Sequence, residues 1–352
     1  MVDALLGTGL RTPLEGGMLE AIRAINASAR PVLALDVPSG LDADRGVPVG
    51  DAVRATATVT FVARKVGLCL HRGPEFAGET TFADLGVVLP EGEAARPALV
   101  VLPDDAAKAV FRPRERHAHK GDFGRVLIVA GGEGMAGAAR LAGEACLRAG
   151  AGLVTVATEP RNVSAIVAGR PELICRAAGD AGDVATLAAQ ATVIAAGPGL
   201  GTGPWAQGLL GAVLASGKPL VLDADALTLL ANQGARPPAD AILTPHPGEA
   251  GRLLGSDARQ VQADRLRSLH ALVERMGCVV VLKGAGTLVG APGHVPALCL
   301  RGNPGMAAPG MGDVLTGVIA AARAQGADAF SAACAGVMAH ARAGDALAAQ
   351  RG

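Results

Sequence analysis

The stretch Gly302-Asn303-Pro304-Gly305-Met306-Ala307-Ala308-Pro309-Gly310-Met311-Gly312-Asp313-Val314-Leu315-Thr316-Gly317 sets the terms for reading the rest of the chain. Two glycine clusters and one acidic residue lead into an apolar run from Val314 to Ala322 with the make-up of a buried helix. Glycine lets a backbone take φ > 0 and approach a ligand closely. Gly310 to Asp313 would form the first turn of that helix, where free N–H groups and a dipole of about +0.5 charge make an anion site. A carboxylate there opposes the anion unless it has a chemical task. The plainer alternative makes Asp313 an ordinary helix cap. The glycine density around a single Asp favours a phosphate cradle with Asp313 as general base.

Upstream of this stretch, buried-strand candidates recur and end on chemistry-bearing residues. Val126 to Ala130 runs into Gly131, Gly132, Gly134 and Gly137, then a helix to Arg148 with Gly150 closing it. That phosphate-loop arrangement lacks the Walker lysine and the spaced Rossmann glycines. Leu153 to Ala157 is a further strand, and Thr192 to Ala196 ends at Gly197, Gly199, Gly201 and Gly203. Pro219 to Leu222 ends at Asp223 and Asp225, and Ile242-Leu243 ends at Thr244-Pro245-His246-Pro247-Gly248-Glu249. There two prolines hold His246 in an extended loop. Cys278 to Leu282 ends at Lys283, followed by Gly284, Ala285, Gly286 and Thr287. Polar and glycine residues at one strand end after another imply a doubly wound α/β sheet with a nucleotide-type site along one edge.

The first hundred residues repeat the pattern on a smaller scale. Val2 to Leu6 ends in Gly7-Thr8-Gly9, Leu14 to Ile25 has helical spacing, and Pro31 to Leu35 stops at Asp36. Asp3 and Asp36 both fall near strand ends, and an unpaired Asp36 there would be costly. Asp42 and Asp44 read as a solvated turn. Thr56 to Val62 alternates as a third strand, followed by Lys65, which spacing alone leaves open between loop and site. Three strands and one good helix before Pro90 suggest the back half of a domain, since a parallel sheet needs cover on both faces. The three prolines within residues 89–103 mark the boundary.

Composition narrows the function classes. The 352 residues are 50% apolar, with 32 basic and 32 acidic side chains. Zero net charge without a basic stripe argues against nucleic acid, and the absence of tyrosine removes stacking platforms. No apolar run reaches membrane-spanning length and no secretory signal precedes Asp3, so a cytoplasmic chain without a membrane partner is expected. Six cysteines without paired spacing are expected to be free thiols.

His119 to Gly124, Gly131 to Ala138, Leu222 to Leu227, Thr244 to Glu249, Lys283 to Thr287 and Gly302 to Gly317 occur in this order. Together they resemble the ADP-dependent NAD(P)H-hydrate dehydratase family, ribokinase-like α/β enzymes, over residues 105–352. Asp3 to Gly9 and Leu35 to Asp42 resemble part of the NAD(P)H-hydrate epimerase domain, over residues 1–98, as fused upstream in bifunctional bacterial enzymes. Ala308, where the family often has a hydroxyl residue, and the inserted Pro309 depart from its pattern, yet Gly312 and Asp313 remain.

The resemblance implies a substrate and a site. The substrate would be the 6-hydroxylated hydrate of NADH or NADPH, with ADP or ATP as phosphoryl donor and Mg2+ accompanying the nucleotide. Asp313 would act as base and, with Gly137, Ala138, Gly199 and His246, contact the hydrate. Lys283, Gly284, Ala285, Gly286, Thr287 and Gly312 would hold the adenine nucleotide. In the epimerase part, Gly7, Thr8, Gly9, Leu10, Arg11, Thr12, Pro13 and Asp36 would contact the hydrate, and Asp3 and Ser39 would bind K+. A bacterial homo-oligomer is expected. Epimerase activity is not expected, because on this reading the front of that domain is missing. The rival readings are a ribokinase-class kinase of a small alcohol and a non-catalytic nucleotide-sensing module.

Overall fold

The computed structural model describes residues 1–88, 92 and 96–351. Of the boundary expected at 89–103, residues 89–91 and 93–95 lie outside the described residues. The chain divides into two compact units: Met1–Leu99 with Gln262–Leu266, and Val100–Val261 with Arg267–Gly352.

The first unit is built on four strands, β1 (Val2–Asp3), β2 (Leu33–Leu35), β3 (Ala57–Phe61) and β4 (Glu79–Ala83), paired in that order and all parallel. Helix α1 (Gly16–Ala27) connects β1 to β2, and its inward Ile22 is buried with Val32 and Val53. The short helix α2 (Gly73–Ala77) precedes β4 and buries Phe76 in a second apolar cluster with Val37, Leu41 and Leu68. The expected count of three strands is therefore corrected to four. No position of β4 is buried, so its Glu-Thr-Thr-Phe-Ala sequence carries no apolar alternation to read. Asp42 also departs from its reading as a solvated residue. It is 2% exposed, and its carboxylate accepts bonds from the Asp44 and Arg45 N–H groups and from the Arg45 guanidinium.

The second unit carries a ten-stranded sheet. Its strands are β5 (Val100–Val101), β6 (Arg125–Val129), β7 (Leu153–Thr158), β8 (Ile174–Ala177), β9 (Val193–Ala196), β10 (Leu220–Leu222), β11 (Ile242–Leu243), β12 (Val279–Leu282), β13 (Thr287–Gly290) and β14 (Ala297–Cys299). They lie in the order β5-β14-β13-β12-β11-β10-β9-β6-β7-β8. Among the described residues every neighbouring pair in this sheet is parallel except β13 with β12 and β13 with β14, which are antiparallel. The central strands β9, β10 and β12 are buried at every position, as a sheet covered on both faces requires.

The connecting helices are α3 (Ala136–Arg148), α4 (Val163–Gly169), α5 (Ala181–Ala188), α6 (Pro204–Leu214), α7 (Ala224–Gln233), α8 (Pro247–Leu254), α9 (Ala258–Ala263), α10 (Arg265–Met276), α11 (Met311–Ala324) and α12 (Ala329–Arg351). Helix α11 is the central one, packed between α3 and α12. Gly317 lets it approach α3 so closely that a Cβ there would stand 2.1 Å from the Ala142 carbonyl oxygen. Among the described residues no helix is long and apolar enough to cross a membrane. All six cysteines are free, five of them buried.

Candidate active site

The order of strands in the second unit reverses between β6 and β9, which is where an α/β sheet opens a crevice at its carboxyl ends. Two glycine turns meet there. Gly131 N–H donates to the Pro198 carbonyl at 3.0 Å and Gly132 N–H to the Gly199 carbonyl at 2.6 Å. Asn162 clamps the first turn from below, its amide donating to the Gly131 and Gly132 carbonyls at 2.9 and 2.8 Å. Gly197, at φ 125°, runs so close to the neighbouring strand end that a Cβ would lie 1.8 Å from the Asp223 carbonyl oxygen. Only glycine fits both the conformation and the approach.

Further along the same edge, β10, β11 and β12 deliver charged residues to one place. Asp223, 1% exposed, ends β10, and its Oδ1 accepts the Lys283 ammonium from the end of β12 at 2.7 Å. Its Oδ2 accepts the Thr316 hydroxyl from α11 at 2.8 Å. Past β11, His246 and Glu249 form a reciprocal cap at the start of α8. His246 Nδ1 accepts from the Gly248 N–H at 2.9 Å, and the His246 N–H donates to Glu249 at 2.7 Å. Glu249 also lies 3.8 Å from the Lys283 ammonium. Burial, with help from Asp223, raises the Glu249 carboxyl above its usual range against the pull of Lys283. Burial and then Lys283 push His246 downward.

Asp313 stands at the mouth of α11. The N-cap is Gly310, at φ 87°, so Asp313 is the third residue of the helix and not its cap. Burial first, then the Asp223 and Asp225 charges, push its carboxyl up to about 6 against the opposing Lys283. Gly312, beside it, packs over the ion pair: a Cβ there would lie 3.3 Å from Lys283 Nζ and 3.5 Å from Asp223 Oδ2. A raised carboxyl beside free helix N–H groups can accept a proton near neutral pH while the turn receives an anion. Among the described residues no group of three or more His, Cys, Asp or Glu side chains is arranged to hold a metal ion.

In the first unit two carboxylates are engaged. Asp3, 1% exposed, accepts from the Ser39 N–H at 2.8 Å and the Ser39 hydroxyl at 2.6 Å. Asp36 sits at φ 70°, unusual for a residue with a Cβ. Its carboxylate accepts the Phe61 N–H at 3.0 Å and pairs with the Lys65 ammonium. Burial alone would raise Asp36, but Lys65 and the Phe61 N–H outweigh it and hold the carboxyl below its usual value.

Comparison with known proteins matches this arrangement at both units. The family model of NAD(P)H-hydrate dehydratase matches residues 126–352, and that of the YjeF-related protein N-terminus matches residues 1–67. The bifunctional NAD(P)H-hydrate repair enzyme Nnr of Coxiella burnetii is 45% identical over 352 residues, covering 100% of this chain and 72% of that protein. Its Escherichia coli counterpart is 42% identical, covering 100% of this chain and 68% of that protein. Among solved structures, the ADP/ATP-dependent NAD(P)H-hydrate dehydratase from Bacillus subtilis, co-crystallised with ATP/Mg2+, superposes with a TM-score of 0.65. That match has 29% identity over 72% of this chain and 91% of that one.

The chain belongs to the family of bifunctional NAD(P)H-hydrate repair enzymes.

Membership corrects one expectation. The expectation that the epimerase part lacks its front half finds no support, because the N-terminal family model matches residues 1–67. The residues expected in the repair site fall as follows. Gly199, His246, Lys283, Gly312 and Asp313 lie along the carboxyl edge just described. Gly137 is exposed in the first turn of α3, where a Cβ would meet nothing within 4 Å, and Ala138 beside it is buried. Gly284, Ala285 and Gly286 form the turn between β12 and β13, closed by the Thr287 hydroxyl donating to the Gly284 carbonyl at 3.0 Å. In the first unit Gly7 to Pro13 form a loop between β1 and α1, exposed apart from half-buried Leu10. Strand-end position marks Asp223 and Glu249 in the sequence without assigning either a role, and nothing in the spacing singles out Thr316, inside α11, or Asn162.

Proposed function

We propose that the second unit dehydrates the S form of NAD(P)H hydrate, with ADP or ATP as phosphoryl donor. The observation that carries this reading is Asp313 at the third position of α11, raised to about 6 and flanked by the open Gly310–Gly312 turn. Hydroxide is a poor leaving group, so the C6 hydroxyl must first be converted. Asp313 takes the hydroxyl proton as the oxygen attacks the terminal phosphorus, whose bond to the bridging oxygen breaks and releases AMP from ADP or ADP from ATP. The N–H groups of the first turn of α11 receive the charge that develops on the transferring phosphoryl group. The C6–O bond then breaks, its electrons leaving with inorganic phosphate while the ring nitrogen lone pair compensates. Loss of a proton from the neighbouring ring carbon restores the dihydropyridine. Lys283 to Thr287 and Gly312 hold the adenine nucleotide, and Gly137, Ala138, Gly199 and His246 hold the hydrate. Magnesium would travel on the nucleotide phosphates, since the buried Asp223 carboxylate is already engaged by Lys283 and Thr316.

For the first unit, residues 1–98, the proposal is epimerisation of the R and S hydrates, with residues 105–352 as the dehydratase domain. Asp36 with its Lys65 partner and the Gly7–Pro13 loop would face the hydrate. Asp3 and Ser39 offer the oxygen donors a hard cation such as K+ requires. Their bond to each other, at 2.6 Å, places those oxygens side by side. A cytoplasmic setting goes with a substrate formed from reduced nicotinamide cofactors.

The test supplies hydrated NADH to the chain with and without ATP and magnesium, and follows the dihydronicotinamide absorbance and phosphate release. Stoichiometric reduced cofactor and inorganic phosphate are expected only with nucleotide. A stable phosphate ester would identify a kinase instead. Separating the two epimers by chromatography, with spontaneous interconversion subtracted, tests the first unit.

A further inference from the structure

We propose that Asp223 is a positioning residue of the dehydratase: it fixes Lys283 and Thr316 beneath the first turn of α11 and so governs how readily Asp313 takes and gives a proton. The inference rests on the reading of Asp313 as the base.

The geometry is specific. Both Asp223 oxygens are committed to donors from two other elements, Lys283 at 2.7 Å and Thr316 at 2.8 Å. Thr316 lies three residues beyond Asp313, hence on the same face of α11. The places a Cβ on Gly312 would occupy, 3.3 Å from Lys283 Nζ and 3.5 Å from Asp223 Oδ2, show the pair lying against the helix mouth. The backbone around Asp223 is fixed as well, with Gly197 tight against its carbonyl and Ala224, next in sequence, at φ 49°. A residue with a Cβ held there marks a surrounding that overrides local preference.

The charges do not balance. Asp223 from β10, Glu249 from α8 and Asp313 from α11 surround the Lys283 ammonium, and Asp225 of α7 adds a fourth carboxylate nearby, against which Arg252 of α8 supplies one more positive charge that acts on Glu249 and His246. The imidazoles on this side, His246 at the cap of α8 and His340 on α12, are both held toward the neutral form by burial and by Lys283. With that excess of negative charge, Asp313 is the half-buried carboxylate without an ammonium at hydrogen-bond distance, and burial and the Asp223 charge raise it together. Removing the Asp223 charge frees the Lys283 ammonium to act on Asp313, so both effects lower its proton affinity. Removing Lys283 does the opposite. A role confined to tying β10 to α11 would lower stability and turnover at every pH, with no displacement of either sign.

The experiment titrates Asp313 directly, by carboxyl-carbon NMR of aspartate-labelled full chain, assigned by loss of the signal in Asp313→Asn. The pH profile of kcat/KM with hydrated NADH and ATP is recorded alongside. In Asp223→Asn the titration and the acid limb should both move down by about one pH unit. In Lys283→Met both should move up. Should Asp223→Asn not fold, Thr316→Val, which removes a donor that serves Asp223, is expected to move the titration up by a few tenths of a unit. An Asp313 titration unmoved in whichever of these variants folds would overturn the inference. A moved titration with an unmoved acid limb would uphold it and overturn the base assignment instead.

Discussion

Thr316 donates its hydroxyl to Asp223 at 2.8 Å across 93 residues of sequence, fastening the mouth of α11 to the end of β10. The bond is buried, with Thr316 0% and Asp223 1% exposed, so its partners have no water to fall back on. A glycine-rich turn that would otherwise wander is thereby held over the sheet edge. Asp313, half-buried, is left at its rim.

Asp313→Asn keeps the shape of the turn and removes the proton acceptor. Turnover should fall by about 10²–10⁴-fold, the usual worth of a general base, while nucleotide affinity stays near that of the parent chain. Steady-state kinetics and calorimetric titration with ATP check the two halves. A kcat within about threefold of the parent would reduce Asp313 to a structural residue of α11.

The pH dependence follows from the same group. With its carboxyl raised to about 6, Asp313 is the ionised base only above that value, so kcat/KM should fall as pH drops through about 6. The stability sign is opposite to that of a salt-bridged carboxylate. The folded state binds the proton more tightly than the unfolded chain, so the favourable contribution is complete below the unfolded value of about 3.9 and is lost as pH rises through about 6. At neutral pH, Asp313→Asn should therefore raise Tm, by about 2–4 °C once partial exposure is allowed for. The gain should vanish near pH 4. A Tm lowered at neutral pH would show the carboxylate to be stabilising.

Much of this edge is legible in the sequence, because parallel strands buried on both faces read as apolar runs and the residues that stop them stand out. Lys283 is found that way, as Asp36 is in the first unit, whereas Asp313 is found from the glycine clusters that precede α11. What remains hidden is pairing. Thr316 reads as a core helix residue until Asp223 arrives from another strand, and Asn162 reads as a loop residue until it grips the Gly131 and Gly132 carbonyls. Strand β4 escapes because nothing in it is buried, and β13 because its first residue closes the Lys283–Thr287 turn. Asp42 misleads in the other direction: two N–H groups and the Arg45 guanidinium satisfy it, so it can leave water without cost to the turn.

Gly317→Ala tests the packing that places α11. The added methyl would stand 2.1 Å from the Ala142 carbonyl, which is backbone and cannot swing aside. The helices must part, at about 1–3 kcal/mol for overpacking, and Tm should fall by about 3–10 °C. Because Asp313 lies one turn away, KM for the hydrate should rise as well. An unchanged Tm by differential scanning calorimetry would mean that α3 and α11 can yield at no cost.

In the first unit the testable element is the pair of Asp36 with Lys65. Asp36 is held at φ 70° and its carboxylate is partly buried, so it depends on Lys65 and on the Phe61 N–H at 3.0 Å. Its carboxyl lies below the usual range, so the stabilisation it supplies is present above the unfolded value of about 3.9 and is lost as pH falls through the lower folded value. Lys65→Met should destabilise the first unit by about 1–2 kcal/mol at neutral pH, less than for a fully buried pair because both side chains keep some contact with water. The deficit should shrink progressively below about pH 4, as protonation of Asp36 removes the partner Lys65 would have had. Asp36→Asn in the Lys65→Met background should recover part of the loss, since the carboxylate left unpaired is what costs most. Denaturant unfolding of the four combinations at neutral and acid pH supplies the comparison. Equal deficits at both pH values would trace the effect to the packing of the Lys65 alkyl chain and not to its charge.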